Sequence, residues 1–118
     1  MRCIIAGGRD FTDYQRLKNF MDKSPYEITE VICGKAKGAD TLGEQWGLEN
    51  HIPVKYFTPD WENLGRKAGF LRNKDMGDHA NEFGDGLLVA FWDKKSRGTK
   101  FMIEYAENIG LIVKIVFY

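Results

Sequence analysis

Short apolar runs alternate along the chain with longer stretches whose apolar positions recur at helical spacing. Cys3-Ile4-Ile5-Ala6, Val31-Ile32-Cys33 and Leu87 through Phe91 are unbroken apolar runs, as in strands covered on both faces. The pattern predicts strands over residues 2–6, 29–33, 53–57, 86–92 and 111–117. It predicts helices over 13–23, 39–50, 64–81 and 99–109. Thr12 or Asp13 caps the first helix, and Leu42, Trp46 and Leu48 supply much of the apolar face of the second. Pro53 opens the third strand, and a loop, Thr58-Pro59-Asp60-Trp61, leads to the third helix. This alternation gives an α/β, three-layer Rossmann-like fold with about five mainly parallel strands and about four helices. Strand order is not readable from the pattern; a switch point beside the first strand is the expectation. Residues 1–118 form one domain, with no repeat, linker or low-complexity tract.

Three of the strands end in glycine and small polar residues that open a helix. Gly7-Gly8-Arg9 follows the first, Gly34 to Asp40 the second, and Ser96-Arg97-Gly98-Thr99 comes after the fourth. Such turns gather at the carboxyl ends of strands, where backbone approaches closely and helix N-termini face anions. Their number points to a phosphate-bearing small molecule. Gly7-Gly8 is neither G-x-G-x-x-G nor a Walker loop, and it also suits a plain tight turn. Gly34, Gly38 and Ala39 permit a nest of N–H groups, and Lys35 and Lys37 either neutralise phosphate or stand as solvated surface lysines. Asp40 has two readings, a helix cap or a partner for a ribose hydroxyl. Trp61 and Trp92 either stack a base or close the edge of the core.

Composition narrows the partners. Lys+Arg and Asp+Glu number 17 each, so the net charge is +0 and nucleic acid is not the expected ligand. A local basic cluster remains in Arg66, Lys67, Arg72 and Lys74. No apolar stretch approaches a membrane span and no signal peptide precedes the first strand, so a cytoplasmic protein is expected. Cys3 and Cys33 read as buried, reduced thiols, and the isolated His51 and His79 suggest no metal site. Neither a metal nor a cofactor is expected.

Ile5-Ala6-Gly7-Gly8-Arg9-Asp10-Phe11, Gly34 to Gly43, Asp60-Trp61, Gly65 to Gly69, Arg72-Asn73-Lys74-Asp75-Met76, and Ala90-Phe91-Trp92 with Ser96 to Thr99 stand in a telling order. In that order they resemble the SLOG superfamily, named from DNA-processing protein A and the Lonely Guy proteins. Within it they are most similar to the YspA-like, cpYpsA-related group of small bacterial and phage proteins. The resemblance implies a Rossmann-like fold and a pocket for nucleotides or nucleotide-derived signals such as ADP-ribose derivatives or cyclic nucleotides. It also implies a sensor role in bacterial conflict, self-association and a separate effector protein; a phage-encoded relative would instead act as an anti-defence sponge.

Lonely Guy relatives cleave the N-glycosidic bond of nucleoside monophosphates with an Arg in R-K-x-x-M and a Glu in P-G-G-x-G-T-x-x-E. Here Arg72 and Met76 match the first segment, with Asn73 in place of Lys, and Gly98-Thr99 match part of the second. Met102 stands where the Glu belongs, and Glu104 lies about 200° around the helix. That chemistry leans on a carboxylate, so binding is expected over catalysis. Were the protein an enzyme, Asp60 would serve as base or cation stabiliser with Arg72 on the phosphate, and Asp40 and Asp93 would be the next carboxylates.

Overall fold

A computed structural model describes all 118 residues. Five strands, β1 (Arg2–Gly7), β2 (Glu30–Cys33), β3 (Val54–Tyr56), β4 (Leu87–Trp92) and β5 (Ile112–Phe117), pair in parallel throughout in the order β3-β2-β1-β4-β5. The helices are α1 (Tyr14–Lys23), α2 (Ala39–Glu49), α3 (Trp61–Leu64), α4 (Ala68–Ala80) and α5 (Arg97–Ile109). The chain leaves β1 toward β2 and leaves β4 toward β5, so the switch point falls between β1 and β4. This is the three-layer α/β arrangement the alternation predicts.

Side chains of β1 alternate between two cores, as a strand period of two requires. Cys3 and Ile5 pack with Leu17, Met21 and Trp46 under α1 and α2. Ile4 and Ala6 pack with Met76, Met102 and Ala106 under α4 and α5. Both cysteines are free and buried, and burial pushes the Cys3 thiol up to about 12. No helix is long and apolar enough to cross a membrane.

Several boundaries differ from the expectation for local reasons. Asp13, not Thr12, caps α1, accepting the Arg16 N–H at 3.1 Å. The third helix begins earlier and is broken: Asp60 caps α3, Gly65 ends it at φ +57°, and a 3-10 turn over Gly65–Lys67 leads into α4. Trp61 therefore opens a helix rather than lying in a loop. Helix α5 also starts early, because Ser96 caps it, accepting the Thr99 N–H at 3.3 Å.

The apolar face expected for α2 is partly wrong. Leu48 is exposed, and the buried face is Ala39, Gly43, Trp46 and Gly47. The helix lies so close to the sheet that glycine, not leucine, is the residue at contact. A Cβ at Gly43 would come within 2.7 Å of Ile5 Cβ. Gly43→Ala is expected to destabilise the fold by about 1–3 kcal/mol despite alanine's better helix propensity, because neither α2 nor β1 can retreat. Urea unfolding measures this; an unchanged or raised midpoint would show that the helix can lift.

Candidate functional site

A cavity of about 470 Å3 opens at the carboxyl ends of β1 and β4, at the switch point. That size suits a small organic ligand. Its walls come from the β1–α1 turn, the start of α2, one face of α3–α4 and the turn into α5. Ala6, Phe70, Met76 and Met102 supply apolar surface, and Trp61 stands at the rim, 49% exposed.

The β1–α1 turn is a junction as much as a ligand surface. The Gly8 N–H donates to the Phe91 carbonyl at 3.1 Å, and the Gly8 carbonyl accepts the N–H groups of Phe11 and Ala39 at 3.2 Å each. A Cβ at Gly7 would strike the Phe91 carbonyl. Gly38, at φ +76°, lies against the backbone of Gly8 and Arg9. Thus the Ala39 N–H expected to face an anion is spent on holding α2 to β1. Gly34, Gly38 and Ala39 shape the site from behind and do not line it.

What Gly34 makes room for is a buried carboxylate, Asp40, and a half-buried guanidinium, Arg72. A Cβ there would come within 2.8 Å of Asp40 Oδ2 and 2.9 Å of Arg72 Nη1. Arg72 donates from Nη1 to the Gly34 carbonyl and from Nε to Asn73 Oδ1 at 2.8 Å. Its Nη2 makes no hydrogen bond within the protein. Asn73 in turn donates to the Gly98 carbonyl at 3.2 Å, tying α4 to the first turn of α5. Asp40, 5% exposed, accepts the Ala36 N–H at 3.4 Å. Burial raises its carboxyl to about 6 against the opposing pull of Arg72. Burial likewise lowers the Arg72 guanidinium from its ordinary value, with Asp40 acting against it. Beneath them the Cys33 thiol, pushed up to about 11 by burial, donates to the Asp40 carbonyl at 3.7 Å.

Other lining carboxylates are engaged. Asp10 accepts the Tyr118 hydroxyl at 2.6 Å. Asp93 accepts the N–H groups of Ser96 and Lys95 at 2.9 and 2.8 Å, which hold its carboxyl below the usual range. Met102, 1% exposed, faces the cavity, whereas Glu104 is exposed and pairs with Lys100 at 3.9 Å.

The structure gathers Gly7, Gly8, Arg9, Asp40, Trp61, Arg72, Asn73, Ser96, Gly98 and Thr99 at the cavity. Lys37 lines an adjoining hollow instead. Asp60 lies outside both, its carboxylate capping α3 through the Asn63 N–H at 3.2 Å. Trp92 and Arg97 are also outside: the Trp92 indole donates to the Ser96 carbonyl at 3.0 Å, and Arg97 is exposed. Arg66, Gly69 and Phe70 also line the cavity, beyond the residues that the turns and motifs single out as ligand contacts. Counting back from Asn73 and Met76 in steps of three and four reaches them, so helical spacing carried the signal. No group of His, Cys, Asp or Glu converges to hold a metal ion. His79 pairs with Glu30 at 2.6 Å at the opposite end of the strands.

A sequence model of the YAcAr family, described as the YspA, cpYpsA-related SLOG family, matches residues 1–64. That stretch carries the glycine turns after β1 and β2. The Gene 61 protein of Mycobacterium phage D29 is 31% identical over 121 residues, which span 95% of this chain and 93% of that protein. No solved structure matches.

Proposed function

Since the chain belongs to the YspA, cpYpsA-related SLOG family, we propose that its cavity holds a nucleotide or nucleotide-derived signal, and that the protein works by holding it. It would act as a sensor or as a sequestering sponge. The observation that carries this reading is the floor of the cavity. Met102 occupies the helix position where hydrolytic relatives carry glutamate, and the lining Asp10 and Asp93 are tied up by hydrogen bonds. Arg72 offers an unused guanidinium nitrogen at a site built to orient it, which suits a phosphate oxygen. Trp61 and Phe70 offer faces to a base. The phage relative favours the sponge, which needs affinity and abundance but no turnover.

The test is incubation with AMP, ADP-ribose, its cyclic forms and cyclic dinucleotides. Thermal shift reports binding, and chromatography after heat release reports the ligand's fate. A ligand present at a hundred times its Kd is expected to stabilise by about 3 kcal/mol, roughly 10 °C in Tm, and to be recovered intact. Recovery as base plus sugar phosphate would make the protein a glycosidase. Trp61→Ala should weaken binding roughly tenfold through lost stacking, read by titration calorimetry. Unchanged affinity would move the base away from this ring.

A further inference from the structure

The main cavity and the hollow beside it differ sharply in charge. In the cavity Arg9, Arg66 and Arg72 are matched by Asp10, Asp40 and Asp93. The hollow, of about 330 Å3, shares Arg9, Arg72 and Trp61 with the cavity and adds Lys35 and Lys37, with no carboxylate among its lining residues. In a chain of net charge +0 this is a local concentration of four cations. Arg9, Lys37 and Arg72 make no ion pair, and Lys35 reaches Glu44 only at 3.8 Å, over the Tyr56 ring.

The segment bearing the lysines is built to stay where it is. Lys35 sits at φ +58°, a region that residues with a Cβ adopt rarely, and its N–H donates to Cys33 Sγ at 3.4 Å. The Thr41 hydroxyl donates to the Ala36 carbonyl at 3.0 Å. Like charges held together repel, and an anion between them relieves that repulsion.

Resting on the nucleotide reading above, we infer that the ligand carries at least two phosphates, and that the hollow receives the one farther from the sugar. The charge-balanced cavity takes base and ribose, Arg9 and Arg72 grip the first phosphate at the shared rim, and Lys35 and Lys37 take the next. The ligand class is then a nucleoside diphosphate or a pyrophosphate-linked nucleotide, not a nucleoside monophosphate.

Titration calorimetry of the full chain with AMP, GMP, ADP, GDP and ADP-ribose tests this, together with the double variant Lys35→Ala/Lys37→Ala. Wild-type protein should bind at least one diphosphate roughly tenfold or more tighter than its monophosphate. In the double variant that ratio should fall toward one, and added salt should shrink it in the wild type. Equal affinity for mono- and diphosphate would overturn the inference and leave the nucleotide reading standing. So would equal losses for both ligands in the variant, since the lysines would then act only through their general field. Absence of binding to all five probes would overturn the inference, and the nucleotide reading would then rest on the cyclic ligands of the thermal-shift panel. Unfolding of the ligand-free variant at the wild-type temperature confirms that its lysines were not structural.

Discussion

Replacing Arg72 with alanine is expected to weaken binding of the proposed nucleotide ligand roughly a hundredfold and to lower stability by about 2–3 kcal/mol. The two effects share one cause. The guanidinium is the only side chain lining both hollows that is also bonded into the frame, through the Gly34 carbonyl at the end of β2 and Asn73 on α4. Asn73 passes the connection to Gly98 at the start of α5. Removing Arg72 leaves the Gly34 carbonyl without this donor and Asp40 without its strongest opposing charge. Two walls of the cavity, α4 and the start of α5, lose their common tie to the end of β2. Arg72→Lys separates the two effects: it keeps the charge beside Asp40, so stability should return to within about 1 kcal/mol of wild type. It cannot hold Gly34, Asn73 and a phosphate oxygen with one planar fork, so affinity should remain down roughly tenfold. Urea unfolding and calorimetry measure both quantities. Wild-type affinity in Arg72→Ala would remove the residue from the site and from the phosphate path together.

How much of this was legible in the sequence depends on whether the signal was local. The β-α alternation was, because three central strands are buried on both faces and read as unbroken apolar runs. The glycine turns were legible as positions but not as roles. Gly34 and Gly38 are needed because Arg72, Asp40 and Arg9 approach them, and Arg72 and Arg9 lie elsewhere in the chain. In sequence Ala39 reads as an anion donor, yet its N–H goes to Gly8, a contact that exists only once α2 docks on β1. Asp60 looked like a free carboxylate because a four-residue helix gives too short a pattern to reveal a cap. Leu48 misled for a related reason: apolar residues mark a buried face only where there is room for them, and α2 runs too near the sheet. The balance of charge between the two hollows was the least visible feature. Arg9, Lys35, Lys37 and Arg72 come from three segments that only the parallel sheet brings together.

Between pH 4 and 8 Asp40 carries the largest expected dependence on pH. Its carboxyl ionises at about 6 in the folded protein and at its ordinary value of 3.8 when unfolded. Between those values the native state keeps a proton that the unfolded chain has released, so stability falls as pH rises from about 4 to about 6 and levels off above. Two pKa units correspond to about 3 kcal/mol, the most this one group contributes. Asp40→Asn keeps an acceptor for the Ala36 N–H and removes the ionisation. The variant is therefore expected to be more stable than wild type at pH 7–8, by about 1–3 kcal/mol, and to lose the decline between pH 4 and 6. Arg72 enters with a definite sign, because its charge favours the ionised Asp40. In Arg72→Ala the carboxyl should titrate higher still, carrying the decline in stability past pH 6, and Asp40→Asn should then rescue much of the stability that Arg72→Ala loses. Urea unfolding of the four proteins of this cycle across pH 4 to 8 gives the coupling directly. Parallel pH profiles for wild type and Asp40→Asn would mean that the carboxylate is solvated, and that Arg72 is oriented by Gly34 and Asn73 alone.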